Sequence, residues 1–335
     1  SDERQWTWMD EGLNTFCQYL AEKEWDVDYP SRRGPAYKIV DYMKGNKENI
    51  PPIMTNSESV IQFGNNAYGK PATALNILRE TIMGRELFDY AFKQYATHWM
   101  FKHPTPADFF RIMEDASAVD LDWFWRGWFF TTDHVDIAID KVKWYRLDSK
   151  NPDVEFPKKK ADLEEQEEFI GDVRNEVNRP NTVVEQDPTT KDFYNTHDPF
   201  NVTSVDREEY EEYVSSLDDK EKKQLKFDKN IYEIQFSSPG GLVMPIILEF
   251  TFVDNSTEKI HIPAEIWKMN YKNVSKLFIF EKELKEINLD PNLETADVDR
   301  SNNYWPPRIE KNRFTLFKEK QMQRENEMQR AKRAK

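Results

Sequence analysis

With 335 residues the chain is long enough for two or three domains, each with its own core, and its 22 Phe, 14 Tyr and 10 Trp supply large apolar areas although only 38% of residues are hydrophobic. A net charge of -14 argues against a polyanionic partner such as nucleic acid, because phosphate binding takes a basic surface, and reads simply as a solvated acidic surface. No apolar run approaches the ~20 residues of a membrane helix, and Cys17, the only cysteine, leaves no intramolecular disulfide or thiolate metal cluster within these residues.

In chain order, the first segment is Trp6 to Leu20. Its apolar residues Trp6, Met9, Leu13, Phe16, Cys17 and Leu20 fall on the stripe of an amphipathic helix, which makes Cys17 a small core residue. Glu11 lies nearly opposite Leu13 and Leu20, flanked by Trp8 and Thr15, so its carboxylate projects from the unpacked face. Taken alone, it is an acidic residue favoured in a first helical turn by the macrodipole.

Pro35 to Met43 has helical spacing with Pro in the first turn, and Asn49-Ile50-Pro51-Pro52 cannot continue it. Leu75, Leu78 and Ile82 form the next stripe, with Pro71 in the first turn and Tyr68 near the helix N-terminus. Alone, Tyr68 is an ordinary surface residue, but a tyrosine so placed can donate a hydrogen bond to the oxyanion of a tetrahedral intermediate. Three helices follow: Phe88, Ala91, Phe92, Tyr95 and Trp99 on one face, then Phe109, Phe110 and Met113 behind Thr105-Pro106, then Leu121 to Phe130, capped by Asp120 and too aromatic to be half exposed.

From Lys150 to Lys229 the chain is charge-dense and poor in apolar residues, which predicts a solvated linker or insertion with one surface helix near 206 to 225. The period then changes to two. Tyr232, Ile234 and Phe236 alternate with polar neighbours, as do Met244, Ile246, Leu248, Phe250 and Phe252, and a turn at 254 to 257 returns through Lys259 to Ile262. Strands at 277 to 280 and 287 to 289 complete an antiparallel sheet packed as a β-sandwich. The run from Asp297 lacks the sixth-position Gly and twelfth-position Glu of an EF-hand loop, so its carboxylates are read as turn and strand-end groups. The predicted parts are therefore 1–140, helical; 141–229, charged; 230–312, antiparallel β; and 313–335, a basic terminal helix or tail.

Trp8-Met9-Asp10-Glu11-Gly12 resembles the Trp-x-x-Glu-Gly segment of the M1 aminopeptidases, zinc enzymes with a thermolysin-like catalytic domain, and Tyr68-Gly69-Lys70 resembles their Tyr-x-Lys segment, although Pro71 stands where the family often has Gly. The likeness covers about Trp6 to Ile139, and the β-region is similar to the domain that follows in some bacterial M1-like proteins. It implies that Glu11 is the third zinc ligand and that Tyr68 stabilises the oxyanion. The other two ligands and the general base would come from a His-Glu-x-x-His helix upstream of Ser1, and no such motif occurs among these residues.

By this resemblance the chain is the C-terminal piece of a zinc metallopeptidase acting on peptide substrates, multidomain α + β in fold, and extracytoplasmic. Its partner would be its own N-terminal half, and the piece alone would hold no zinc and cleave nothing. A zinc-less M1-like scaffold serving as a binding or assembly module is the alternative. A third reading, a glycan-binding β-domain, would need Trp267 or Trp305 exposed as a platform.

Overall fold

The computed structural model describes residues 2–309 and 327–333. Helix α1 (Thr7–Trp25) crosses a rod in which α2 (Lys70–Ile77) is flanked by two π-helical turns, Gly64–Gly69 and Leu78–Ile82. The wide first turn places the Lys70 N–H on the carbonyl of Asn65, five residues back, so the rod begins before Pro71, which stands in the first turn of its α-helical part as expected. Three further helices close the bundle: α3 (Arg85–Trp99), α4 (Pro106–Ser117) and α5 (Asp122–Trp125), the last running on as a π-helical turn over Arg126–Phe130. α4 starts where its sequence says it must, because the Asp108 carboxylate accepts from the Thr105 backbone N–H at 2.9 Å in a capping box and Pro106 follows at the first helical position.

The core of this part is aromatic. Trp8 packs on Phe129 with centroids 4.8 Å apart, Phe16 on Phe88 at 5.4 Å, and Phe109 on Tyr95 at 4.8 Å. In the 121 to 130 stretch Phe124, Trp125, Trp128 and Phe129 are buried and Phe130 is exposed. α1 is covered on two sides, by the α3–α4 aromatics and by the rod, and its buried face is therefore wider than its apolar stripe. Trp8 and Thr15, expected beside Glu11 on the open side, are buried, whereas Cys17, expected in the core, is exposed.

Two antiparallel sheets follow. β1 (Ala138–Tyr145), β2 (Asn230–Ser237) and β5 (Asn273–Phe280) form one in the order β1-β2-β5. β3 (Ile246–Phe252), β4 (Thr257–Ile262), β6 (Leu284–Leu289) and β7 (Tyr304–Trp305) form the other in the order β4-β3-β6-β7. The sheets pack face to face, with Phe250 of β3 5.1 and 5.0 Å from Phe278 and Phe280 of β5. The Tyr232 hydroxyl of one sheet accepts the Leu284 N–H of the other at 2.9 Å. The sandwich and the β3–β4 hairpin follow the alternation read from sequence. Of the two candidates for a glycan platform, Trp267 is only 2% exposed and donates to the Met244 carbonyl, and Trp305 is half-buried, so neither stands exposed as that reading requires.

β1 was not expected, and its place changes the meaning of the charged stretch. It pairs along its length with β2, so residues 146–229 leave and re-enter one sheet between neighbouring strands. The boundary expected between 140 and 141 falls inside this strand. The excursion is more helical than its composition suggests, with helices at Pro152–Glu164, Ile170–Val177, Ser204–Ser216 and Asp219–Leu225. Local caps explain this: Asn151 accepts from Asp153 N–H, and Thr203 and Asp218 each open a capping box. Of the expected tail, Glu327–Arg333 is helical and the rest lies outside the described residues.

Helical bundle and sandwich meet along a tight seam. His134 bridges Gly241, its N–H bonding the Gly240 carbonyl at 3.1 Å, and a Cβ on Gly240 would stand 2.2 Å from the His134 carbonyl oxygen, so this position admits only glycine. Thr81 reaches across to the Glu294 carbonyl, and Val298 N–H to the Val135 carbonyl. Asp297 lies beneath this seam, accepting from the backbone N–H groups of Ile137 at 3.2 Å and Asp299 at 3.0 Å. Asp290 is buried too and holds Glu294 N–H and the Thr295 hydroxyl. Both aspartates thus act as backbone anchors, as expected for turn carboxylates.

Burial, with Asp136 and Asp290 nearby, pushes the Asp297 carboxyl up to about 7. The folded chain then holds a proton that the unfolded chain, with an aspartate pKa of about 3.9, has released. This contribution to stability is complete below about pH 4 and is lost as the pH rises through about 7. Melting temperature should accordingly fall between pH 5 and 7.5, and Asp297→Asn should flatten that fall. An unchanged slope in the variant would show that another group carries it.

Candidate active site

The site is built where α1 meets the rod. Gly12 is buried against Pro71, and a Cβ at position 12 would lie 2.7 Å from Pro71 Cγ and 3.2 Å from the Ala67 carbonyl oxygen. Only glycine lets the two helices approach this closely. The residue before it, Glu11, is thereby set beside the residue three before Pro71, Tyr68.

Both side chains are half-buried and within hydrogen-bonding reach of each other. The bond with the Glu11 carboxylate, more than burial, raises the Tyr68 phenol above its ordinary range, and the charges of Glu11 and Asp10 act the same way while Arg33 opposes them. At neutral pH the hydroxyl is therefore a donor. The structure brings the two sequence-predicted residues together. Neither lines the cavity of about 420 Å³ between Tyr37, Lys44 and Arg300, nor the one of about 450 Å³ between Trp123, Thr131 and Tyr271, so these two clefts are not where the two residues meet.

Two further residues were given no role by the sequence reading. Arg33 lies in the loop after α1, with its guanidinium carbon 4.8 Å from the centre of the Tyr68 ring, while the Phe63 ring meets the same phenol edge-on at 5.9 Å. A loop arginine has no periodicity to reveal it; the one signal was the adjacent Gly34, whose φ of 116° only glycine adopts with ease. Lys70, two residues past Tyr68 and so on the opposite side of the rod, is 1% exposed and reaches one acceptor, the Thr131 carbonyl, at 3.4 Å. Burial, with Lys47 nearby, pushes its ammonium down to about 8. Tyr68-Gly69-Lys70 thus sends one polar side chain toward Glu11 and one into the core.

Among the described residues no group of three or more His, Cys, Asp and Glu side chains is placed to hold a metal ion. Glu11 is a single carboxylate with a phenol beside it. That pair can offer one anionic ligand and one hydrogen-bond donor directed at the same point, and no complete metal centre.

No curated protein matches the chain in sequence. Among solved structures, the crystal structure of Legionella pneumophila aminopeptidase A in complex with aspartic acid is similar at 10% identity and a TM-score of 0.43, over 87% of this chain and 23% of that one. The chain thus spans under a quarter of that protein's length, and likeness at this level assigns it no activity. The peptidase family M1 domain matches residues 3–128, the stretch that holds Glu11, Gly12, Arg33, Tyr68 and Pro71. The likeness to peptidase family M1 thus rests on this stretch.

Proposed function

We propose that this chain is part of a zinc-dependent aminopeptidase in which Glu11 is a metal ligand and Tyr68 an oxyanion donor. The observation that carries the reading is their meeting point: within the matched stretch, a carboxylate and a protonated phenol from two different helices face each other, held there by the Gly12–Pro71 contact. Zinc, when bound, supplies a Lewis acid for the scissile carbonyl. This chain's own residues supply a fixed ligand and a proton donor beside it.

Glu11 contributes one anionic oxygen ligand from a helix held on both sides, so its position is fixed before any metal arrives. Tyr68 keeps its proton because the neighbouring carboxylate disfavours the phenolate. Its hydroxyl can then donate to negative charge that develops on the substrate oxygen, an interaction stronger in the transition state than with the ground-state carbonyl. By the family's pattern the remaining ligands and the general base would come from a His-Glu-x-x-His helix, which these residues do not contain. Peptides with a free amino terminus as substrates, and an extracytoplasmic location, are parts of the same reading.

The test uses the polypeptide extended upstream through that helix. Glu11→Ala should abolish stoichiometric zinc and turnover together. Tyr68→Phe should keep zinc and lower kcat by about 10²- to 10³-fold, the usual loss for one oxyanion donor. Zinc retained after Glu11→Ala, or full turnover after Tyr68→Phe, would refute the roles; an extended protein that folds without binding zinc would favour a scaffold instead. Gly12→Ala tests the geometry beneath both. The added methyl should drive α1 from the rod, costing about 1–3 kcal/mol in stability by chemical denaturation and lowering turnover although no reacting group has changed, whereas a variant as stable and active as the parent would show that the contact is dispensable.

A further inference from the structure

The clamp on the Tyr68 ring is more elaborate than a chance contact between a loop and a helix. Gly34 fixes the loop: with φ at 116°, its α-carbon lies against Tyr19, where a Cβ would stand 2.5 Å from the ring, and its carbonyl accepts from the buried Asn76 Nδ2 at 3.1 Å. Gly64 makes room on the rod, since a Cβ there would stand 3.3 Å from Arg33 Nη2. Arg33 therefore lies in a slot between Gly64 and the Tyr68 ring, half-buried, and makes no hydrogen bond or ion pair among the described residues. Arg33 feels the charge of Glu11, and a direct pair between them would take up the carboxylate oxygens. Instead the guanidinium covers the face of the phenol and leaves the carboxylate to the hydroxyl.

We propose that Arg33 is a positioning residue for Tyr68, its guanidinium holding the phenol ring against Phe63 so that the hydroxyl stays directed at the side of Glu11 where a reacting oxygen would lie. The inference rests on the peptidase reading for its consequence and on the geometry of ring, guanidinium and glycines for its existence. A tyrosine turns about two side-chain bonds, and a hydroxyl at the end of that lever misses its target after a small rotation. Packing by Phe63 limits the ring on one side. Cation–π attraction to Arg33, 4.8 Å from the ring centre, supplies a second restraint. Because Arg33 acts through the hydroxyl, its removal should affect the transition state and leave ground-state substrate binding and metal binding alone.

The experiment has a kinetic arm and a metal-free arm. In the zinc-loaded extended protein, Arg33→Ala should lower kcat by about 3- to 30-fold, the range of one cation–π contact, with KM and zinc content unchanged. Arg33→Lys should recover part of the loss, because an ammonium can still stand over the ring. In a Tyr68→Phe background, Arg33→Ala should cost nothing further, since no hydroxyl remains to be directed. In the metal-free chain, the Arg33 Nε–Hε resonance should show an upfield ring-current shift that disappears in Tyr68→Leu. An active protein in which Arg33→Ala acts on KM, or lowers kcat equally with and without the Tyr68 hydroxyl, would overturn the positioning role alone. A ring-current shift that is absent would overturn the clamp itself. An extended protein that loads zinc and hydrolyses no peptide would overturn the functional reading, and the consequence drawn for Arg33 with it.

Discussion

The absence of a side chain at position 12 is the constraint on which the site depends. Two helices packed through ordinary side chains stand 8–10 Å apart, and at that spacing a short carboxylate on one need not reach a phenol on the other. Gly12 against Pro71 brings α1 onto the rod, and the flanking residues follow: Glu11 is fixed by its bond to Gly12, Tyr68 by its place three residues before Pro71. The π-helical turn over Gly64–Gly69 belongs to the same arrangement. It gives the rod a wider turn just before a proline that has no N–H to offer, and Tyr68 projects from that turn. Glycine, proline and the irregular turn are one solution to bringing two polar groups together at the edge of an aromatic core.

That core makes the solution rigid. Trp8 and Phe16, three residues before and five after Glu11, are anchored in rings contributed by α3, α4 and the end of α5. Glu11 is therefore held by packing rather than by a polar partner on its own helix. The sandwich is tied to the bundle through backbone contacts at His134, Val135 and Ile137, with Gly240 again serving where a Cβ has no space. The charged excursion of residues 146–229 takes no part in either core. It begins and ends on neighbouring strands, so its surface helices can vary in length without disturbing the sheet that carries them.

Much of this was legible in the residues. The change from helical to alternating period marked the bundle and the sandwich, and Thr105-Pro106 marked the start of α4 to the residue. The pairing of Glu11 with Tyr68 came from motif likeness and not from periodicity, which says only that neither belongs to a packed stripe. Where the pattern misled, tertiary contact was the reason. Trp8 and Thr15 are buried because α1 is packed from two sides, a fact no single helix can show, and Cys17 falls outside both packed faces. β1 was missed because Ala138 to Tyr145 mixes three charges with its apolar residues and owes its conformation to β2, which lies some ninety residues on. The places of Arg33 and Lys70 were not legible, since one is set by a loop that turns at Gly34 and the other by the turn of a helix that puts it beneath the surface.

The central claim is that Glu11 and Tyr68 are two corners of a metal site that other residues complete. Anomalous diffraction at the zinc edge, from crystals of the polypeptide extended through the upstream helix, tests it most directly. The account predicts one zinc ion about 2.0–2.2 Å from a Glu11 carboxylate oxygen, with the Tyr68 hydroxyl turned toward its open coordination position. Zinc bound elsewhere with Glu11 left free, or a metal at Glu11 with the Tyr68 hydroxyl directed away, would contradict it.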